Sequence, residues 1–416
     1  MAREEVGARL LRLLGGRERR RFGGSCGGAV IDERTAPAFE PTDDQRAIGD
    51  VAAEVAEREI APHIAAWDKE HVFPRPLYAK LTEAGLMGML VPEQYGGVGA
   101  DYVSYVLAIE ELARVDAGTA VTVSVHSMIC NAIAMLGSAE QRDTWLETLA
   151  TKDVIAGFGL TESDAGSDAA AIRSTARRDG GEWVLNGRKQ WCTNGAYAGV
   201  VMAMFRTGGP GAKGISAFLI DCELPGIVVE KTTEKLGIHT SNTVDLAFDD
   251  VRVPASAMLG SEGAGFTQAL MTLTSGRIGI AAQAVGILAA CLDASVAFAK
   301  ERTAFGKAIG SFEGISFKIA RMATDLDAAR LLVYRAASLA DAGRPYVTEA
   351  SKAKLFASTK AREHAAEAVQ IHGGYGYTTE FPVERYYRDA KITEIYEGTS
   401  EIQQLVIARG LLGRLD

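Results

Sequence analysis

Apolar residues change their spacing three times along this chain, and the changes divide it. From Thr42 they recur at helical steps, as Ile48, Val51, Val55 and Ile60. Thr42-Asp43 can cap that helix and Pro62 marks its end. Further helical stretches follow Pro76 and occupy 101–115, 119–136 and 139–149. The glycine-rich segment Val91–Gly99 between them has no GK[ST] behind it and is not a phosphate loop. At Val154 the period shortens. Residues 154–160 form a short apolar run, and Glu182–Trp191 holds Asn186-Gly187, a strong hairpin signal. Strand patterns continue over 198–205, 215–221, 227–230 and 244–248, and Pro254 closes them. From Gly265 the helical period returns. It places Leu270, Leu273, Arg277, Ala281, Val285, Leu288, Leu292 and Val296 on one stripe. Ile315, Ile319, Met322, Leu326, Ala329, Val333 and Ala336 form a second, and a third helix spans 347–372.

The pattern reads as an α+β protein: a helical domain over 42–152, a compact and barrel-like β domain over 153–258, and a helical bundle over 259–416. Strands and helices do not alternate and no GxGxxG occurs, so a dinucleotide fold of the Rossmann kind is not indicated. Residues 1–41 differ from the rest. Arg3, Arg9, Arg12, Arg17, Arg19, Arg20, Arg21 and Arg34 crowd there, with Gly23-Gly24 and Gly27-Gly28. An organellar transit peptide is Arg-rich but avoids acids, and Glu4, Glu5, Glu18, Asp32 and Glu33 count against one. The expectation is a mobile tail and a cytoplasmic protein, with the mitochondrial matrix as the alternative.

Composition narrows the function classes. The 416 residues are 47% hydrophobic and 23% charged, with a net charge of -9. An acidic balance argues against nucleic acid or an anionic membrane as the main partner. Cys26, Cys130, Cys192, Cys222 and Cys291 are scattered, which fits a reducing compartment rather than a disulfide framework. The six histidines form no HxxxH or HExxH pair, so no metal is expected. No apolar run in the sequence is read as a membrane span.

Six stretches carry candidate chemistry. In Tyr396-Glu397-Gly398-Thr399-Ser400 a carboxylate sits between an aromatic ring and a glycine, at the mouth of a helix that Thr399 and Ser400 can cap. That arrangement can make a proton-transfer base, but on local grounds alone a solvated glutamate in a helix-start turn is the favoured reading. Gly157–Asp168 runs from a strand into a polar turn with hydroxyls at Thr161 and Ser167. Lys189–Asn194 offers the flat apolar face of Trp191. Arg277 falls on an apolar stripe and needs a partner or a ligand. Arg302, in Glu301–Lys307, has the fork geometry that suits phosphate, and Gln370–Gly376 is a glycine-rich loop containing His372, more often a structural residue than a catalyst.

RDAKITEIYEGTSEIQ, residues 388–403, closely resembles the C-terminal signature of the acyl-CoA dehydrogenases. The other stretches resemble the same family at the right spacing, over about 43–412. The resemblance implies FAD, an acyl-CoA substrate and an electron-transferring flavoprotein as electron acceptor. Glu397 then removes the α-proton of the thioester while the flavin takes the β-hydride, giving a trans-2-enoyl-CoA. Some members carry the base at the position of Gly276, which cannot serve. Phe158, Leu160, Thr161, Ser167, Trp191, Cys192 and Thr193 are implied to contact the flavin. Arg302, Glu313, Gln370, Ile371, His372, Gly373 and Gly374 are implied at its pyrophosphate, Arg302 from a neighbouring subunit. Thr399, Ser400 and Glu401 complete the cofactor contacts, and Ser167, Thr274, Arg277 and Gly398 those to the substrate. A homotetramer and a short acyl chain of about four to five carbons are implied as well; the chain preference rests on 276–283, 370–377 and 393–403, and each methylene that fits the pocket gains roughly 0.8 kcal/mol. Departures from the usual family residues stand at Ser163, Cys192, Thr274, Glu313 and His372. The alternatives are an oxidase of the same fold and a flavin-bound, non-catalytic assembly partner.

Overall fold

The computed structural model describes residues 40–413, so the expected tail lies almost wholly outside the described residues. Helix α1 (Asp43–Val55) starts as its sequence dictates. The Thr42 hydroxyl accepts the Gln45 N–H at 3.3 Å and the Gln45 side chain accepts the Thr42 N–H at 2.9 Å, a reciprocal capping box. The helix widens into a π-helical turn at Ala56–Ile60 before Pro62. Helices α2 (Ile64–Glu70), α3 (Arg75–Glu83), α4 (Tyr102–Val115), α5 (Ala117–Leu136) and α6 (Ala139–Thr151) complete the first helical region.

Strands β1 (Ile155–Gly159), β2 (Thr175–Asp179), β3 (Glu182–Thr193), β4 (Ala198–Arg206), β5 (Ile215–Asp221), β6 (Ile227–Thr232), β7 (Thr243–Pro254) and β8 (Met258–Leu259) follow. They form one eight-stranded sheet ordered β6-β7-β3-β2-β4-β5-β8, with β1 added beside β4. The sheet buries an apolar core of its own around Trp183, Phe205, Phe218 and Phe248. The expected hairpin at Asn186-Gly187 is not formed. Strand β3 (Glu182–Thr193) runs straight through it, and the turn lies instead at Gly180-Gly181, between β2 (Thr175–Asp179) and β3. The ladder between β3 and β7 (Thr243–Pro254) slips between Leu185 and Gly187, so the pair is a bulge. Asn186 spends its amide there, donating to Asp250 Oδ1 at 2.9 Å and accepting the Asp250 N–H at 3.0 Å.

Helices α7 (Gly265–Glu301), α8 (Glu313–Asp341) and α9 (Val347–His372) form the long bundle, with the shorter α10 (Val383–Ile392) and α11 (Ser400–Leu412). One apolar core joins both helical regions: Ile109, Ile129, Ile280, Leu288, Val333 and Ala357 belong to a single cluster. Among the described residues, two helices are long and apolar enough to cross a bilayer by length and composition alone. They are Ala117–Leu136 and Gly265–Glu301, and 78% and 72% of their most apolar windows are buried inside the protein. Their hydrophobicity is spent on this shared core.

Candidate active site

The turn between α10 and α11 carries a left-handed backbone. Thr399 caps α11, its hydroxyl accepting the Ile402 N–H at 3.4 Å. Just before it, Glu397 has φ +54° and Gly398 φ +90°. Glycine takes such a backbone freely, whereas glutamate does so at a cost. Three contacts hold the pair. Lys354 Nζ donates to the Gly398 carbonyl at 2.5 Å, Gln403 Nε2 donates to the same carbonyl at 2.8 Å, and Gln403 Nε2 also reaches the Glu397 carbonyl at 3.2 Å. The Glu397 N–H has no acceptor among the described residues.

The strained backbone aims the Glu397 side chain inward. Parts of the residue remain accessible, but Oε2 is buried and has no hydrogen-bond partner. Burial drives the carboxyl pKa up to about 7, against the opposing pull of the Lys354 and Arg277 cations. The oxygen sits against helix α7 at Gly276. A Cβ there would come within 2.6 Å of Glu397 Oε2 and equally close to Met128 Sδ. One turn on, at Gly279, the missing Cβ leaves room for Ser124 and for the Tyr105 hydroxyl, which bonds the Ser124 hydroxyl at 3.0 Å. Arg277 is buried, with Nε unpartnered; burial lowers its pKa and Glu397 opposes that. Thr274 turns its hydroxyl back to the Leu270 carbonyl at 2.7 Å. A dry carboxylate that titrates near neutrality, with no group competing for Oε2, is equipped to take a proton from carbon.

A second group lies on the sheet. Phe158 is in β1, with Leu160 and Thr161 just beyond it, and the Thr161 carbonyl accepts the Gln190 N–H at 2.7 Å, which joins both sheet stretches marked in the sequence. Below them Lys189 is fully buried and paired with Glu162 at 2.6 Å. Burial opposes ionisation of Glu162, but the Lys189 ammonium holds its pKa below the usual value. The ladder slips again between Lys189 and Cys192, which ejects Trp191: its φ is +56°, its N–H donates to Asp245 Oδ1 at 3.1 Å, and the residue is 57% exposed. Thr193 is half-buried beside it and Ser167 is exposed. An uncommitted indole face next to free polar groups fits a planar heterocycle such as the isoalloxazine ring. Cys192 is a correction. Its side chain is buried in the β core with Val244 and Leu246, so the pleat turns the thiol away and leaves only its backbone for a ligand. Asn194 ties this region to helix α5, donating to the Thr122 carbonyl at 3.1 Å. Thr122 lies about 9 Å along the helix from Met128, which touches the base site.

A third group forms a cleft of about 560 Å³ lined by Arg302, Ile371, His372, Gly373, Gly374 and Tyr375, among others. The Arg302 guanidinium lies over the Tyr375 ring at 5.4 Å. His372 is structural in placement: Nδ1 bonds the Ala368 carbonyl at 2.8 Å and its ring stacks on Phe298 at 4.3 Å. Glu313 and Gln370 do not line this cleft and are exposed, Glu313 as the first residue of α8. Ser400 and Glu401 open helix α11, with Glu401 exposed. Another cleft, of about 1060 Å³, runs between residues 53–71 and 379–388 and holds none of the expected catalytic, cofactor or substrate residues.

Lys354, Tyr105, Ser124, Met128 and Gln403 were not singled out by the sequence. One of them had a signal. Lys354 interrupts the stripe Ala350, Ala353, Ala357, Ala361 and Ala365 that buries α9, and a lysine on such a stripe is as conspicuous as Arg277 on its own.

Comparison with known proteins agrees with this geometry. Residues 42–153, 157–251 and 263–412 match the N-terminal, middle and C-terminal domain models of acyl-CoA dehydrogenase. The short-chain specific acyl-CoA dehydrogenase of Mus musculus mitochondria is 48% identical over 359 residues, covering 86% of this chain and 87% of that protein. Butyryl-CoA dehydrogenase from Megasphaera elsdenii superposes with a TM-score of 0.89 at 43% identity, covering 90% of this chain and 99% of the other. A chain in a structure described as the electron transferring flavoprotein of Acidaminococcus fermentans gives 0.89 at 46% identity, covering 90% and 100%. Three matched domains in order, around a buried glutamate on a left-handed turn, place this chain in the acyl-CoA dehydrogenase family.

Proposed function

We propose that this chain oxidises a short-chain acyl-CoA to its trans-2-enoyl-CoA, with Glu397 as the base and FAD as the resident cofactor. The observation that carries the reading is the unpartnered Glu397 Oε2, buried against Gly276 and driven toward neutral pKa by burial. At neutral pH about half of such a carboxylate is ionised, basic enough to take a weakly acidic proton and still able to give it up. The free Glu397 N–H supplies a donor for the thioester carbonyl, which makes the α-proton more acidic. Arg277 holds positive charge beside the carboxylate without quenching it by an ion pair. FAD, when bound, supplies the hydride acceptor. Trp191, Thr193, Phe158, Leu160, Thr161 and Ser167 are the residues that would hold its ring, while Arg302 and the Ile371–Gly374 loop would hold its pyrophosphate.

The distance along α9 supports assembly. Lys354 at one end serves the base turn and His372 at the other lines the Arg302 cleft, so the two places are about 27 Å apart along the helix. A cleft that remote suits a neighbour's cofactor, in keeping with a homotetramer. Exposed Phe305 and Tyr377, 96% and 90% accessible, give that neighbour apolar contact. An electron-transferring flavoprotein is the proposed acceptor. Cys130, Cys192, Cys222 and Cys291 are all free thiols, which supports a reducing, cytoplasmic setting.

Anaerobic titration of the flavin-loaded protein with a panel of acyl-CoA thioesters tests the reading. Flavin bleaching should be fastest with C4 and branched C5 thioesters. A preference for C8 or longer would overturn the chain-length assignment, and no bleaching by any acyl-CoA would overturn the reaction.

A further inference from the structure

Lys354 is an unusual lysine. It lies inside helix α9 on an alanine stripe and none of its surface is accessible. A buried ammonium is expensive unless it is paired. Its one hydrogen bond is to a neutral group, the Gly398 carbonyl at 2.5 Å. The charges that act on it through space are Glu397, Arg277, Glu394 and Glu401. Glu394 is already committed, accepting from Lys391 at 2.7 Å and from Arg362 at 2.9 Å, and Glu401 is exposed to water. That leaves one carboxylate with an unpartnered oxygen, Glu397. Glu397 in turn faces Lys354 from α9, Arg277 from α7 and the phenols of Tyr105 and Tyr396. A cation without a paired anion and a carboxylate oxygen without a donor thus act on each other through space at one turn.

We propose that Lys354 is a positioning residue for the base: it pins the Glu397–Gly398 turn through the Gly398 carbonyl and supplies the charge that keeps the Glu397 carboxylate available at neutral pH. The inference rests on Glu397 being the base. The division of labour with Gln403 follows from chemistry. Gln403 bonds the same carbonyl at 2.8 Å and so shares the pinning, but it is neutral and cannot share the charge. Arg277 can share the charge but makes no contact with the turn's carbonyls among the described residues. Only Lys354 does both. Linkage works in both directions: burial drives the Lys354 pKa down to about 7 while Glu397 opposes the fall. Removing the lysine therefore raises the Glu397 pKa, because the ionised form loses its cation.

The test is the rate of flavin reduction by butyryl-CoA in the holoenzyme, followed from pH 6 to 10. In Lys354→Met the acid limb should move up by about one pH unit, making the rate at pH 7 about fivefold lower and that at pH 9 within about twofold of the unmodified protein. KM should change less than about threefold, since the lysine does not touch the thioester. Lys354→Gln keeps a donor without charge and should shift the limb as Met does, and Lys354→Arg should hold the limb near its original place. An unmoved limb in Met and Gln overturns the proposal, however slow they are. Failure of both neutral variants to load flavin overturns it as well, because it assigns the lysine to folding. Glu397→Gln in the same assay separates the two readings. Near-normal reduction there removes the base assignment itself, whereas an inactive Glu397→Gln beside unmoved Lys354 variants removes only the lysine's role.

Discussion

The base turn and the Arg302 cleft were both marked by the sequence, and they are built in opposite ways. The base turn is closed. Its carboxylate oxygen is buried, its backbone is strained, and Lys354 of α9 with Arg277 and Gly276 of α7 bear on it. The Arg302 cleft is open. Its loop glycines Gly373 and Gly374 are exposed, and Arg302 rests on an aromatic face rather than an anion. One carboxylate, Glu380, even lines the cleft, which disfavours a phosphate there until Arg302 offsets it. The first region is enclosed by the chain's own core, and the second is open to solvent. The contrast teaches where each kind of chemistry belongs. Proton transfer needs low dielectric and fixed geometry, which a single folded core provides. Holding a charged, extended ligand needs reach and access, which an exposed cleft provides.

The contrast breaks most sharply at Glu397. Glu397→Gln should retain cofactor and bind thioester but reduce its flavin several orders of magnitude more slowly in stopped-flow absorbance. A loss of less than tenfold would mean the closed region is not the catalytic one. Gly276→Ala should slow reduction by about a hundredfold, because the new Cβ meets Glu397 Oε2 at 2.6 Å and a base displaced by about an ångström loses that much. Its affinity for acyl-CoA, measured by calorimetry, should fall far less than its rate. Arg302→Ala should act on the open region alone. Cofactor affinity should weaken by about 10- to 100-fold, the worth of one charge-assisted contact, while the pH dependence of reduction stays put. A shifted pH profile in that variant would show that the two regions are not independent. The smallest effect needs no mutation. Because burial raises the Glu397 pKa to about 7 and only the ionised base accepts a proton, the rate should climb with pH through that value. Below it the rate should fall by about tenfold per pH unit. A profile flat between pH 5 and 9 would contradict the dry environment.

Much of this could be read before folding. Periodicity placed the long helices, since one face of each is spent on a shared core, and Thr42-Asp43 announced the first of them. Arg277 stood out as a charge on an apolar stripe, whereas Glu397 and Arg302 were marked by their resemblance to family motifs, local chemistry alone favouring ordinary surface roles. The misses share a cause. Asn186-Gly187 has ideal hairpin chemistry, yet the sheet preferred to turn at Gly180-Gly181 and to use Asn186 as a clasp on Asp250. Cys192 was placed at the ligand, and pleat parity after a bulge puts its thiol in the core. Lys354 was passed over although it broke an alanine stripe. Each outcome depends on a partner distant in sequence, such as Asp250, Val244 or Gly398, and local spacing carries no record of it.

Helix α9 has a consequence for how such a chain can change over generations. Lys354 and His372 are 18 residues apart, about five full turns, so they project from the same side of one rod. Substitutions along the rod leave that alignment intact. Loss or gain of a single residue between them does not: it rotates one end by about 100° relative to the other and moves it by about 1.5 Å. The lysine at the base turn and the cleft wall at His372 cannot both stay in register after such an event. The segment 354–372 is therefore a fixed-length ruler, tolerant of spelling and intolerant of length.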